Sequence, residues 1–129
     1  MIGYATIGTN DFERARTFYD QVFAPLGGRR IFMLGETMQF YASREIPGMI
    51  AITTPYDKQP AQPSNGGMFG LTATSREQVD AVYAAALAAG ATCEGKPGDR
   101  TDTFYGAYFR DPDGNKLCVF HLVRKPKAT

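Results

Sequence analysis

Side chains able to do covalent or metal chemistry are few in this chain. His121 is its lone imidazole, and Cys93 and Cys118 are its two thiols among 129 residues. A thiolate nucleophile needs a neighbouring base or cation to lower its pKa. Cys118 and His121 sit three places apart in the run K-L-C-V-F-H, and on a strand an odd spacing sends two side chains to opposite faces. That spacing does not make a Cys/His pair, and His121 reads as a buried or rim histidine with a structural hydrogen bond. What remains is softer chemistry: the hydroxyls of seven tyrosines and the thioethers of five methionines, suited to holding a molecule by apolar contact and hydroxyl hydrogen bonds.

The stretch that must position these groups is 104–121, F-Y-G-A-Y-F-R-D-P-D-G-N-K-L-C-V-F-H. Apolar runs flank Asp111-Pro112-Asp113-Gly114-Asn115, which predicts two strands turning back through a tight loop. Pro112 presets a turn φ, Gly114 and Asn115 tolerate positive φ, and the Asp111 carboxylate caps the loop.

Ahead of it the chain reads twice through the same pattern. Residues 2–9 form a short strand; Asn10 or Asp11 then caps a helix with acid in its first turn. Phe12, Ala15, Phe18, Tyr19, Val22 and Phe23 fall at helical spacing until Pro25 and Gly27-Gly28 end the helix. Strands are expected at 29–34, 38–42 and 48–54. Residues 55–67, rich in Pro and Gly, read as a linker. A strand at 68–73 follows, then a helix capped by Ser75 and ended near Gly90. The last expectations are a short strand at 91–94, a polar loop at 95–103 that carries Arg100, and the hairpin.

Placing Gly3-Tyr4 on Gly67-Met68 gives an offset of 64, which also matches Asp11 with Ser75, Glu13 with Glu77, and Tyr19 with Tyr83. Each half is therefore a βαβββ module. Neither covers an apolar sheet face alone, so the expected fold is α+β, two tandem βαβββ modules forming one curved eight-stranded cup. Module one takes about residues 1–55, the linker 56–66, module two about 67–123, and a basic tail, read as a solvated end, 124–129.

The D-P-D-G-N hairpin and the duplication resemble the glyoxalase/bleomycin resistance/extradiol dioxygenase superfamily, the vicinal oxygen chelate fold, over about residues 2–123. In its metal-dependent members four ligands come from the first and last strands of each module. The resemblance places Tyr4, Met68 and Cys118 at three of these positions and the fourth near Ala51. None is the carboxylate or imidazole that Mg²⁺, Mn²⁺, Fe²⁺ or Zn²⁺ wants there, so no metal centre and no cofactor is expected. A divalent metal with other ligands is the alternative. Sulfur at two positions also suits packing, or a soft ion such as Cu(I).

By strand alternation Thr6 shares a face with Tyr4, Gly70 with Met68, and Phe120 with Cys118. The resemblance sets Tyr108 at a position that faces the ligand in several relatives, with Gly106 leaving space beside it; Arg100, in the polar loop expected over the cup, reads either as a clamp for an anionic ligand or as a solvated loop arginine. Tyr4, Thr6, Met68, Tyr108, Cys118 and Arg100 are thus the expected substrate-binding residues.

Composition narrows the partners. Fourteen Lys and Arg stand against thirteen Asp and Glu, so no general field attracts nucleic acid or an anionic membrane. No apolar run approaches the roughly 20 residues of a membrane span, and the N-terminus has no leader pattern; a cytoplasmic protein is expected. Cys93 and Cys118 would lie on strands separated by another, about 10 Å apart at the usual strand spacing, beyond the roughly 7 Å Cα limit of a disulfide. The reading is a binder of a small organic molecule, a homodimer by resemblance. A metal-dependent glyoxalase-like lyase or dioxygenase and a non-catalytic assembly subunit are the alternatives.

Overall fold

The structure is a computed structural model that describes residues 1–124. Residues 125–129, the greater part of the basic tail, lie outside the described residues. Strand β1 (Tyr4–Gly8) leads into helix α1 (Phe12–Phe23) and a 3₁₀ turn at Ala24–Leu26, followed by β2 (Gly28–Met33), β3 (Met38–Ser43) and β4 (Met49–Thr53). The second half repeats the order with β5 (Phe69–Thr72), α2 (Arg76–Ala88), β6 (Thr92–Thr101), β7 (Phe104–Arg110) and β8 (Lys116–Leu122). The eight expected strands divide into two four-stranded sheets of identical topology, β1-β4-β3-β2 and β5-β8-β7-β6.

Local chemistry starts both helices. The Asp11 carboxylate accepts from the Arg14 N–H at 3.1 Å, and the Ser75 hydroxyl accepts from the Gln78 N–H at 3.1 Å. Each such cap is worth about 1 kcal/mol. Past α2 the chain turns at Gly90, whose φ of +109° suits glycine. Helix α1 buries Ala15, Phe18, Tyr19, Val22 and Phe23, and α2 buries Val79, Val82 and Ala86. These meet Ile7, Ile52, Leu71, Ala107, Phe109, Leu117 and Val119 in one continuous core. A fully buried side chain of this kind contributes about 1.5–3 kcal/mol, so the two modules hold each other through a shared helix layer.

The hairpin loop is the joint between them. Asp111 Oδ1 accepts from the N–H groups of Asp113 at 2.9 Å and Asn115 at 2.8 Å, as a loop cap should. Its Oδ2 accepts from the Tyr19 hydroxyl at 2.6 Å and Asn115 Nδ2 at 2.9 Å. Asp113 accepts from the Thr9 hydroxyl at 2.6 Å, the Asn10 N–H at 3.0 Å and Arg14 Nη2 at 3.1 Å. Asn115 Nδ2 also reaches the Gly8 carbonyl at 2.9 Å. The 55–67 segment has no helix or strand and is tied to the same place: Asn10 exchanges two hydrogen bonds with the Ala61 backbone.

One expectation fails. The polar loop at 95–103 is instead mostly strand, since β6 continues to Thr101 and pairs with β7 through three register shifts. Its edge position is the reason: the outer edge leaves Pro97 no ladder N–H to supply, and Gly95 and Gly98 take up the bulges.

Candidate functional site

Each sheet has one face against the helices and one turned away from them. In sheet one, Ile7, Tyr41 and Ile52 belong to the core, and the Tyr41 hydroxyl donates to the Arg16 carbonyl and Asp20. Alternation puts Tyr4, Thr6, Phe40 and Ala51 on the other, open face. There Tyr4 meets Phe40 edge-on at 5.2 Å, and Phe40 stacks on Phe32 at 4.6 Å. Phe32 and Phe40 were not among the expected site residues. The alternation of residues 38–42 signals Phe40, whereas Phe32 is aimed by a register shift after Arg30 that composition does not show.

In sheet two the open face carries Phe104, Gly106 and Tyr108 from β7 and Lys116, Cys118 and Phe120 from β8. Tyr108 and Cys118 are direct cross-strand partners, and so are Gly106 and Phe120. Phe104 and Phe120 stack at 5.3 Å with rings 9° apart. Glycine makes this possible: a Cβ on Gly106 would lie 2.7 Å from Phe104 Cε1, and one on Gly70 3.2 Å from Phe120 Cε1.

The Tyr108 phenol and the Cys118 thiol stand beside each other on this face as cross-strand neighbours. Burial pushes the thiol pKa up, against the opposing pull of Tyr108, Arg100 and Lys116. Burial also raises the Tyr108 phenol, and the sulfur beside it adds to the shift. Both groups therefore hold their protons at neutral pH and act as hydrogen-bond donors rather than as nucleophile or base. His121, on the opposite face, meets the Ala73 carbonyl through Nδ1 at 3.2 Å, the structural bond expected of it. Cys93 and Cys118 are free thiols.

The six expected residues thus fall into separate groups. Tyr108, Cys118 and Arg100 are together, with the Arg100 guanidinium 5.4 Å from the Tyr108 ring centroid. Tyr4 and Thr6 lie on sheet one, and no described hydrogen bond, ion pair or ring contact joins them to the first group. Met68 precedes β5 and borders a cavity of about 350 Å³, which Phe23, Leu26, Tyr41 and Ile46 also line. None of the other five lines it.

A family model of the Glyoxalase/Bleomycin resistance protein/Dioxygenase superfamily matches residues 1–119. The chain belongs to this superfamily. A solved glyoxalase/bleomycin resistance protein from Albidiferax ferrireducens is 42% identical, with a TM-score of 0.85 over 98% of this chain and 99% of that one. A glyoxalase/bleomycin resistance protein/dioxygenase family enzyme from Burkholderia phytofirmans is 21% identical, with a TM-score of 0.75 over 94% of this chain and 98% of its own. Lactoylglutathione lyase from Agrobacterium tumefaciens shares the fold at 22% identity, with a TM-score of 0.67 over 94% of this chain and 92% of its own. No curated protein matches.

Thr6 pairs with Ala51 and Gly70 with Cys118. Because Thr6 and Gly70 are 64 apart, Ala51 and Cys118 stand at equivalent places of β4 and β8; by the resemblance these two, with Tyr4 and Met68, correspond to the superfamily's metal positions. Ala51 has no donor atom and is fully buried, and Cys118 is a buried, protonated thiol. This donor set does not fit a hard or borderline divalent ion. Among the described residues no group of three or more His, Cys, Asp or Glu could hold a metal. No described helix is long and apolar enough to cross a membrane.

Proposed function

We propose that the chain binds a small, partly aromatic or apolar organic molecule against the open faces of its sheets, without a divalent metal at the superfamily's standard position. The observation that supports this is the replacement of the ligand set by Tyr4, Ala51, Met68 and Cys118, with aromatic rings beside it on both faces. Flat rings supply apolar contact, and the Tyr4, Thr6 and Tyr108 hydroxyls supply hydrogen bonds. Cys118 keeps its proton, so binding is the primary act in this reading.

A second copy of the chain completes the site. Tyr4, Phe32 and Met68 are 55%, 49% and 48% exposed in the single chain, more apolar surface than a finished pocket leaves open. In this reading the copies cover these residues and bring open faces opposite one another.

The test combines metal analysis of protein purified without chelator with light scattering and a thermal-shift screen of small aromatics and thiol conjugates. The expected result is a metal-free homodimer whose hits weaken in Tyr4→Phe or Tyr108→Phe. Stoichiometric Fe, Mn, Ni or Zn would replace this reading with that of a metal-dependent lyase or dioxygenase. Hits indifferent to both substitutions would remove the assigned contacts.

A further inference from the structure

Two cations flank one phenol on the open face of sheet two. The Arg100 guanidinium lies 5.4 Å, and the Lys116 ammonium 5.7 Å, from the Tyr108 ring centroid. Neither forms an ion pair with a described residue. Arg100 Nη2 donates to the Lys96 carbonyl at 2.6 Å, a neutral acceptor. The neighbouring Arg110 is already engaged, by Glu94 and by the Gly114 carbonyl. Glu94 also feels the charge of Lys116, and on its other side Arg100 shares a small pocket with Arg76, Asp99 and Asp102, of which Asp99 is paired with Arg76.

The position of Arg100 is built into the backbone. A Cβ on Gly95 would come 3.1 Å from Arg100 Nη2 and 3.1 Å from Tyr108 Cδ2, and one on Gly98 would come 3.0 Å from Arg100 Nη1. Both glycines sit at register shifts of β6. The bulged edge strand therefore leaves room for the guanidinium to fold back toward the ring, and a Cβ at either place would crowd it, so that it would have to give by a few tenths of an ångström. Lys116 comes from β8, which lies on the other side of β7 from β6, and it shares a face with Cys118, two residues along.

We infer that this is an anion subsite and that the molecule bound on the open face carries a carboxylate, paired with Arg100 and Lys116 while its apolar body lies along the Phe104 and Phe120 rings. This rests on the open-face reading above and adds the ligand's charge to it. A guanidinium fork matches the planar carboxylate, and a mobile ammonium opposite completes the pairing. Tyr108, protonated between them, offers a hydroxyl to the same region.

Amide NMR titration of the full chain with matched acids and primary amides tests the inference: benzoate against benzamide, and phenylacetate against phenylacetamide. The acids are expected to shift the resonances of Tyr108 and Lys116 and to bind about tenfold tighter than the amides, a preference that weakens with salt. In the double variant Arg100→Gln with Lys116→Gln, shown folded by its unchanged spectrum elsewhere, the acid and its amide should bind alike. Amides that bind as tightly as acids, or a preference that survives in the double variant, would overturn the anion subsite. If acids and amides alike shift Tyr108 and Phe120, the inference falls and the open-face site stands. If no compound shifts either open face, both fall.

Discussion

The buried Tyr19 hydroxyl donates to Asp111 Oδ2 at 2.6 Å, across 92 residues of sequence and from one module to the other. The same carboxylate holds the hairpin loop, so it fixes the loop's shape and its docking on α1 together. Removing the phenol leaves a buried acceptor one partner short, at about 1–3 kcal/mol. Tyr19→Phe should lower stability by that amount and Asp111→Ala by more, as read from urea denaturation midpoints at constant m-value.

Tyr19 also makes stability depend on alkaline pH. Burial first, and then the Asp111 charge, hold its pKa well above the ordinary phenol value. A pKa raised on folding contributes stability that is complete below the unfolded pKa and is lost as pH rises. Above about pH 10 the unfolded chain releases this proton and the folded chain keeps it, so Tyr19 adds a downward slope of about 1.4 kcal/mol per pH unit. Denaturation curves at pH 9, 10 and 11 (values chosen to span the phenol range) should show stability falling, with a shallower fall in Tyr19→Phe.

The two thiols should separate by reactivity. Cys93 is exposed, whereas Cys118 is buried with its pKa raised by that burial. Iodoacetamide at pH 8 should alkylate Cys93 in native protein and spare Cys118, as peptide mass spectrometry would read. The Tyr108 hydroxyl favours the Cys118 thiolate, so Tyr108→Phe should not hasten labelling through acidity. Faster modification of Cys118 than of Cys93 in the native wild type would contradict the assigned burial and protonation.

Gly106→Ala tests the ring stack. Its Cβ would sit 2.7 Å from Phe104 Cε1 and 3.3 Å from the Val119 carbonyl oxygen. The ring can turn away but the carbonyl cannot, so the expected cost is about 1–3 kcal/mol with loss of the Phe104/Phe120 stack. Thermal denaturation and the aromatic ring-proton shifts of the two phenylalanines measure both effects.

Periodicity and short motifs are local properties, and they made much of this protein readable without coordinates. Asp11 and Ser75 cap their helices, the 64-residue offset returns as two sheets of one topology, and the three-residue spacing separates Cys118 from His121, because caps and alternation depend on a few neighbouring residues. Four things were decided by tertiary structure. Residues 95–101 became strand because β7 offers them an edge. Phe32 reached the open face through a register shift. Arg100 and Lys116 reached the same ring, Tyr108, one from the bulged edge strand β6 and the other from β8. The D-P-D-G-N loop became the module joint because Tyr19 and Thr9 were brought to it. Each of these unites groups far apart in the chain, and that meeting depends on how sheets register and helices pack, which no single stretch of sequence specifies.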